Sequence, residues 1–258
     1  SCRVLSVGKR ASAVQVNAVV GEARYIIDRH VRDGLFGEAK HYVIPSPMTD
    51  DPAPVPPAPK TLAPGQPVRI GYIGNLSVEK GVFTLAAAAR RLREAYGDRV
   101  RFVIAGTGRD DVTEDLKKAM PADATTFLGW CKPVDFYSQV DVVVVPSQWN
   151  EPFGRVSIEP LEYALPVIVA RSGGLPENVD DGVSGRVFTP ADVDELTGLL
   201  SGLIDDPAEY ARLSRGAAER APLYFFPAFI ATLDKMVCEM GGVPAKQTAE
   251  PAAVPEKV

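Results

Sequence analysis

Apolar residues recur along this chain in two alternating patterns. From Val68 onwards, short β-branched runs such as "VRIGYIG", "VRFVIAG" and "DVVVVPS" are each followed by a segment of helical period, such as "VFTLAAAARRLREAYG" or "DVDELTGLLSGLIDD". Strands that are apolar on both faces and alternate with amphipathic helices are typical of a parallel sheet covered on both sides. The pattern therefore predicts a doubly wound α/β domain over residues 68–221.

The segments on either side of this domain have different patterns. Residues 1–50 contain a helix-like stretch from Cys2 to Gln15, a strand "NAVVG", a helix "EARYIIDRHVRDG" and a strand "HYVIPSP", which is too little to close a domain, so we interpret them as the remnant of another domain and a hinge. Residues 51–67 are so rich in proline that a linker is predicted. An amphipathic helix is predicted over residues 222–240, and a disordered tail over residues 241–258.

Composition and charge narrow the class of protein. The chain has 258 residues, nearly half of them apolar and about a quarter charged, with a net charge of −5. This balance is typical of a soluble globular protein and argues against a nucleic-acid binder. Cys2, Cys131 and Cys238 lie far apart, which predicts neither a disulfide framework nor a zinc knuckle and favours a cytoplasmic location. The sequence has no apolar run of about 18 residues, but peripheral contact with a membrane stays open.

The loops that follow the predicted strands are the first place to look for a site. In doubly wound sheets, ligands bind beyond the carboxyl ends of the strands. The loops here are "GNLSVEKG", "GTGRDD", "GWCKP", "PSQWNEPFG" and "RSGGLPE". In "GTGRDD" the third glycine of a dinucleotide motif is replaced by Asp111, whose carboxylate is unfavourable beside a pyrophosphate. Neither a nicotinamide site nor a Walker-type P-loop is predicted.

Three charged residues in or next to these loops are candidates for binding a ligand. Lys80 lies at the entrance of a helix, where its ammonium can reach a diphosphate. The run "EPFG" predicts a second helix entrance with free backbone amides, with Glu151 in the loop before it and Glu159 about a turn inside it. A carboxylate can accept hydrogen bonds from two vicinal hydroxyls, which suits a ribose or a hexose. The alternative is a solvated acidic face that also carries Glu162.

The order of these motifs resembles one known family. Seven residues separate Glu151 from Glu159, and "ALPVIVARSGGLPENVDDGVSGRVF" follows them. With "GNLSVEKG", "VIAGTGRDD", "FLGW", "DVVVVPS" and "EPFG" upstream, the chain from about Val14 to about Asp206 is similar to the nucleotide-binding half of the family 4 glycosyltransferases. These are retaining enzymes of the GT-B fold, which has two Rossmann-like domains. The resemblance implies that this chain is the C-terminal, Rossmann-like donor domain with a remnant of the N-terminal one.

The resemblance also implies roles for individual residues. Glu151 matches the first glutamate of the E-x7-E motif, which faces the donor sugar near the reacting carbon and is the catalytic candidate. Glu159 matches the second, which accepts hydrogen bonds from the ribose. Lys80 and backbone amides at the start of the helix would bind the diphosphate, and a loop residue pair would border the nucleobase. The implied donor-binding set is Gly74, Asn75, Lys80, Trp130, Cys131, Phe153, Gly154, Arg155, Val156 and Glu159.

The chain departs from the family pattern at two positions. Asn75 stands where many relatives have arginine, which removes one positive charge from the diphosphate site. Pro160 follows Glu159 inside the predicted helix, where it removes a hydrogen bond and can kink the chain. No metal or cofactor is expected, because the resemblance needs only a UDP- or GDP-linked sugar as donor substrate and the candidate loops contain no Asp-x-Asp motif.

The expected activity depends on a second domain. In a GT-B enzyme the N-terminal domain supplies the site for the acceptor, here a sugar, a lipid or a small molecule, and we expect transfer to need that domain. His30 and His41 fall in the hinge and are predicted to be non-catalytic. The leading hypothesis is a hexosyltransferase that retains the anomeric configuration. The alternatives are a GT-B nucleotide-sugar epimerase, a non-catalytic nucleotide-sugar-binding module and an α/β interaction domain without a ligand.

Overall fold

The computed structural model describes residues 12–13, 15–49, 51 and 54–241. Eight strands and seven α-helices are found in this part of the chain. In order they are β1 (Ala18–Gly21), α1 (Arg24–Arg32), β2 (Lys40–Val43), β3 (Val68–Ile73), α2 (Val82–Tyr96), β4 (Val100–Ala105), α3 (Asp110–Ala119), β5 (Thr125–Gly129), α4 (Pro133–Tyr137), β6 (Val142–Val145), β7 (Val167–Ala170), β8 (Gly185–Phe188), α5 (Val193–Asp205), α6 (Pro207–Arg220) and α7 (Phe226–Glu239).

Strands β3 to β8 form one parallel sheet of six strands in the order β5-β4-β3-β6-β7-β8. Alternate residues of each strand point to opposite faces. Val142 and Val144 of β6 belong to the apolar cluster that α2 and α5 cover, whereas Val143 and Val145 belong to the cluster that contains Phe136 of α4. Both faces are therefore buried under helices, and the predicted doubly wound α/β fold is confirmed.

The segment before this domain contains a separate, two-stranded sheet. β1 and β2 pair in parallel as a two-stranded sheet, with α1 between them in sequence. No helix or strand occurs in the described part of residues 44–67, which includes the proline-rich segment 51–67. Most of the helix predicted from Cys2 to Gln15, and all but Gly241 of the predicted tail, lie outside the described residues.

The helix predicted around Glu159 is wrong. The structure has two 3-10 turns in its place, Arg155–Ser157 and Glu159–Tyr163. Gly154 before them is in the left-handed region with φ +83°, and Ala164 after them has φ +51°. Pro160 donates no backbone hydrogen bond, so a continuous helical ladder cannot form across this segment.

Helix α6 was absent from the sequence prediction, although the chain signals it. Asp206 caps the helix, its carboxylate accepting hydrogen bonds from the amides of Ala208 and Glu209, and Pro207 occupies the first helical position. Asp-Pro before an amphipathic run is a common helix start. The last predicted helix is observed as α7.

No single helix of the described chain has both the length and the apolar character needed to cross a bilayer. The segments Pro207–Tyr224 and Phe226–Glu239 meet that test only together, and they are bent by 48° at their junction.

Candidate functional site

The candidate site lies at the carboxyl ends of the central strands. β3 continues the sheet towards β4 and β5 on one side, while its other neighbour, β6, continues it towards β7 and β8. The strand order therefore reverses between β3 and β6, which is the position where doubly wound sheets form a crevice for ligands. The loops after β3, β4, β5 and β6 surround this crevice.

Glu151 and Lys80 form an ion pair in this crevice. The Nζ atom of Lys80 lies 2.5 Å from Oε1 of Glu151, and the hydroxyl of Ser147 donates to the same oxygen at 3.0 Å. The Glu151 side chain is 11 % exposed, while that of Lys80 is 33 % exposed. A nearly buried carboxylate is thus held by two donors, and the ammonium of one of them still reaches solvent.

The loops after β3 and β6 are joined through their backbones. The carbonyl of Glu79 accepts hydrogen bonds from the amides of Gln148 and Trp149 at 2.8 and 3.0 Å. Gly81 has φ +72°, and a Cβ there would lie 1.9 Å from the carbonyl oxygen of Pro146. Glycine is therefore required directly after Lys80, because any side chain would push apart the two loops that carry the ion pair.

Glu159 has a different set of partners. The hydroxyl of Tyr137 donates to its Oε2 at 2.9 Å, and Nε of Arg155 donates to its Oε1 at 3.3 Å. Burial, followed by the charge of Glu159, raises the pKa of Tyr137, so its hydroxyl stays protonated as a donor. Burial and then Glu159 also raise the pKa of Glu162, against the opposing effect of Arg155. The Glu159 side chain is 19 % exposed, which leaves it accessible beside these partners.

A cavity of about 380 Å³ opens beside the ends of β3, β4 and β5. It is lined by Ile73, Gly74, Asn75, Gly106, Thr107, Trp130, Cys131 and Pro133. Trp130 is 77 % exposed at its border. Gly106 has φ +120°, and a Cβ there would lie 1.8 Å from the carbonyl oxygen of Gly74, so the loops after β3 and β4 are in direct backbone contact.

Tyr72 connects this cavity with the ion pair. Its hydroxyl donates to the carbonyl of Asn75 at 2.7 Å. Burial, and then the charge of Glu151, raise the pKa of Tyr72. Burial also raises the pKa of the Cys131 thiol, with a smaller contribution from Asp135.

The structure brings the predicted residues together in three groups. Lys80 contacts Glu151, Arg155 contacts Glu159, and the third group lines the cavity: Gly74, Asn75, Trp130 and Cys131. Phe153 is different, because its ring packs into an apolar cluster with Met48 and Tyr224. Val156 is likewise packed against the core. Phe153 and Val156 can therefore serve a ligand mainly through their backbones.

The sequence prediction missed the residues that hold the two glutamates. Ser147 bonds Glu151, and Tyr137 bonds Glu159. Ser147 carried a signal, since it follows directly after the strand "VVVVP" in a candidate loop. Tyr137 carried none, because its contact with Glu159 joins two separate elements of the fold. In the described part of the chain, no group of three or more His, Cys, Asp or Glu residues is arranged to hold a metal ion.

Comparison with known proteins identifies the family. Residues 58–220, more than half of the chain, match the family model "Glycosyl transferases group 1". The chain is 32 % identical over 175 residues to glycogen synthase of Mycobacterium tuberculosis. The aligned region covers 66 % of this chain and 42 % of that protein. It is 34 % identical over 171 residues to D-inositol 3-phosphate glycosyltransferase of Saccharomonospora viridis, covering 61 % of this chain and 39 % of that protein. The chain thus spans less than half the length of these relatives.

Solved structures show the same fold. Sucrose-phosphate synthase from Thermosynechococcus elongatus superposes with a TM-score of 0.69 at 22 % identity, over 87 % of this chain and 58 % of that one. Anabaena Alr3699/HepE in complex with UDP and glucose gives a TM-score of 0.69 at 20 % identity, over 88 % of this chain and 63 % of that one. With the family match, the six-stranded parallel sheet and the crevice at its carboxyl edge, the chain belongs to the group 1 glycosyl transferases, which have the GT-B fold.

Proposed function

We propose that this chain is the donor-binding half of a retaining hexosyltransferase of family 4, and that the crevice holds a UDP- or GDP-linked sugar. The observation that supports this most is the Lys80–Glu151 ion pair at the point where the strand order reverses. The complexes of Alr3699/HepE with UDP and glucose favour UDP as the nucleotide.

The ion pair is suited to the junction between a diphosphate and a sugar. An ammonium has three N–H donors, and in Lys80 Glu151 takes one of them. The remaining donors and the exposed side of Lys80 suit the diphosphate, with the amides of residues 153–156 as further donors. A phosphate bound at Lys80 has its sugar next to Glu151, which is the position required of a carboxylate that orients the sugar.

The rest of the donor fits the other two groups. The cavity bordered by Trp130 and Cys131 is of a size and lining suited to a nucleobase, with an exposed aromatic ring available for stacking. The ribose then lies at Glu159, whose carboxylate accepts hydrogen bonds from the two hydroxyls while Tyr137 holds it in place. Asn75 supplies no positive charge, so Lys80 is the main cation for the diphosphate.

The chemistry follows from stabilisation of the leaving group. As the bond between the sugar and the diphosphate breaks, negative charge grows on the diphosphate oxygens, and Lys80 and the backbone amides stabilise it more than they stabilise the bound donor. Glu151 orients the sugar for attack by an acceptor on the face from which the nucleotide leaves. We expect the acceptor site to lie in an N-terminal GT-B domain, and transfer to require that domain.

Calorimetric titration of this chain with UDP, GDP, ADP and NAD, without added metal, tests the proposal. We expect UDP or GDP to bind, and its hexose conjugate to bind more tightly. Binding of NAD alone would refute a sugar-nucleotide site. If the conjugate is supplied with acceptors and an N-terminal domain, release of a glycoside supports a transferase, whereas a changed donor sugar indicates the epimerase.

The two glutamates have separable effects. Glu159→Ala should weaken UDP binding by about 1–3 kcal/mol through lost hydrogen bonds to the ribose. Glu159→Gln, which retains an acceptor for the Tyr137 hydroxyl, is the second variant to test if Glu159→Ala does not fold. Glu151→Ala should leave UDP binding nearly unchanged but remove the extra affinity of the sugar conjugate. Glu94→Ala is the matched control, since Glu94 is exposed on α2 and makes no ion pair within the described chain. Equal UDP affinity in Glu159→Ala and Glu94→Ala would remove Glu159 from the site.

A further inference from the structure

The N-terminus of helix α1 is capped by the carboxylate of a residue that lies more than 150 positions away in the sequence. Its N-cap residue, Ala23, has no side chain that can accept a hydrogen bond. The amides of Arg24 and Tyr25 donate instead to Oε2 and Oε1 of Glu177, at 2.6 and 2.7 Å. Both oxygens of the carboxylate thus satisfy amides that a helix start leaves free, and the negative charge lies at the positive end of the helix dipole.

Glu177 belongs to a 3-10 turn that also holds the loop containing Glu151. In this turn, Leu175–Asn178, the neighbouring side chain of Asn178 donates through Nδ2 to the carbonyl of Phe153 and to the hydroxyl of Ser157, both at 2.8 Å. These bonds are buried, so they fix the segment directly after Glu151 at a defined distance from the turn.

The backbone just before the turn lies between α1 and Glu151. The amide of Gly174 donates to the carbonyl of Glu151 at 2.7 Å. A Cβ at Gly174 would lie 2.6 Å from the carbonyl oxygen of Pro152 and 2.9 Å from the Cβ of Ala23. A Cβ at Gly173 would lie 2.1 Å from the carbonyl oxygen of Glu151. The start of α1, the turn and the Glu151 loop are therefore in contact with no room for a side chain between them.

The turn is braced independently of the Glu177 side chain. Arg220 of α6 donates through Nε to the carbonyl of Asn178 and through an Nη atom to the carbonyl of Glu177, both at 2.9 Å. The other Nη of Arg220 pairs with Asp180 at 2.5 Å. Loss of the Glu177 carboxylate is therefore expected to release α1 directly and to loosen the turn without unfolding it.

We propose that Glu177 is a positioning residue that couples the docking of α1 to the donor site. One turn holds the first amides of α1 on one side and the Glu151 loop on the other, so order in one supports order in the other. By linkage, a nucleotide that tightens the Glu151 loop must also tighten α1, and a docked α1 must strengthen nucleotide binding. The ligand-dependent half of this proposal rests on the proposed function.

Amide hydrogen exchange, with calorimetric titration of UDP, tests the coupling in wild type, Glu177→Ala, Glu177→Gln and the control Glu94→Ala. In Glu177→Ala we expect the amides of Arg24 and Tyr25 to exchange about tenfold faster, corresponding to about 1.4 kcal/mol of lost local stability. UDP should slow their exchange in wild type but not in Glu177→Ala, and the Kd for UDP should rise about three- to tenfold. Glu177→Gln keeps one acceptor oxygen and should fall between these two, while Glu94→Ala matches wild type.

Each outcome decides one part of the proposal. Unchanged exchange at Arg24 and Tyr25 in Glu177→Ala would show that Glu177 does not hold α1. Faster exchange there with a wild-type Kd for UDP would overturn the coupling to the donor site. If wild type binds neither UDP nor GDP, the proposed function is what fails. The amides of Gly174 and Ser157 then decide the coupling without a ligand, because faster exchange of both in Glu177→Ala supports it and unchanged exchange refutes it.

Discussion

Two ion pairs join the β3 and β6 regions, one at each edge of the sheet. At the amino edge, Asp141 accepts three N–H bonds from Arg69, from its backbone amide at 2.8 Å, its Nε at 2.9 Å and an Nη at 2.7 Å. At the carboxyl edge, Lys80 makes a single contact with Glu151. The first pair is a planar fork with both carboxylate oxygens occupied, and the second is a point charge on a flexible stem.

The difference in geometry suggests that the amino-edge pair stabilises the fold, whereas the carboxyl-edge pair is suited to binding a ligand. In the amino-edge pair, Arg69 occupies both carboxylate oxygens of Asp141, which suits a contact that locks strands together. In the carboxyl-edge pair, Glu151 takes one N–H of Lys80 within the described residues and the lysine side chain keeps solvent access, which suits a contact with a ligand. Volume alone would not make this distinction, because a cavity of about 450 Å³ lies beside the amino-edge pair and exceeds the one beside Trp130. The topology of the sheet favours the carboxyl edge as the place where a ligand binds.

The largest expected effect is on stability, from Asp141→Ala. The change leaves three donors of Arg69 without their acceptor, and we expect the free energy of unfolding to fall by about 2–3 kcal/mol, measured by urea denaturation. UDP affinity should stay within error of wild type. The matched control is Asp115→Ala, which removes an exposed carboxylate paired with Lys118 and should cost less than about 0.5 kcal/mol. If Asp141→Ala weakened UDP binding in the folded protein, the two edges would not be separable.

For Lys80→Gln we expect the reverse of Asp141→Ala, with a large effect on UDP binding and a small effect on stability. Loss of the cation should weaken UDP binding by about 1.5–3 kcal/mol, the range for hydrogen bonds to charged groups, measured by calorimetry. The free energy of unfolding should change by less than about 1 kcal/mol, because Lys80 is partly solvated and Gln keeps a donor for Glu151. Lys118→Gln, an exposed control on α3, should leave both quantities unchanged. Equal UDP affinity in Lys80→Gln and wild type would place the diphosphate elsewhere.

A smaller effect on the carboxyl edge is expected for Tyr137→Phe. The change removes the donor that holds Glu159, and UDP affinity should fall by about 1 kcal/mol. Tyr163→Phe is the matched control, since the two rings pack with centroids 5.1 Å apart but Tyr137 alone of the pair donates to Glu159 in the described structure. If both variants bind UDP equally well, the orientation of Glu159 does not depend on Tyr137.

The fold was largely predictable from the sequence, because strands buried on both faces leave uniform apolar runs such as β6 and β7. The failures were local conflicts. Around Glu159 the apolar spacing favoured a helix, but Pro160 and two left-handed residues, Gly154 and Ala164, produced 3-10 turns. For α6 the sequence held a clear start signal at Asp206 and Pro207 that the hydrophobic pattern alone did not show.

The motifs pointed to residues that the structure brings together, but they did not reveal the contacts between those residues. Motif order indicated Lys80, Glu151 and Glu159, yet the ion pair between Lys80 and Glu151 joins positions 71 apart in sequence. The contact of Glu177 with α1 spans more than 150 residues. Such pairings depend on strand order and loop packing, which a single sequence encodes only through the whole fold.

The most direct test of the proposed donor site is the crystal structure of this chain in complex with UDP. We expect the diphosphate at Lys80, the ribose hydroxyls at Glu159 and the base in the cavity beside Trp130. Binding of UDP at the amino edge, in the cavity beside Arg69 and Asp141, would contradict this assignment.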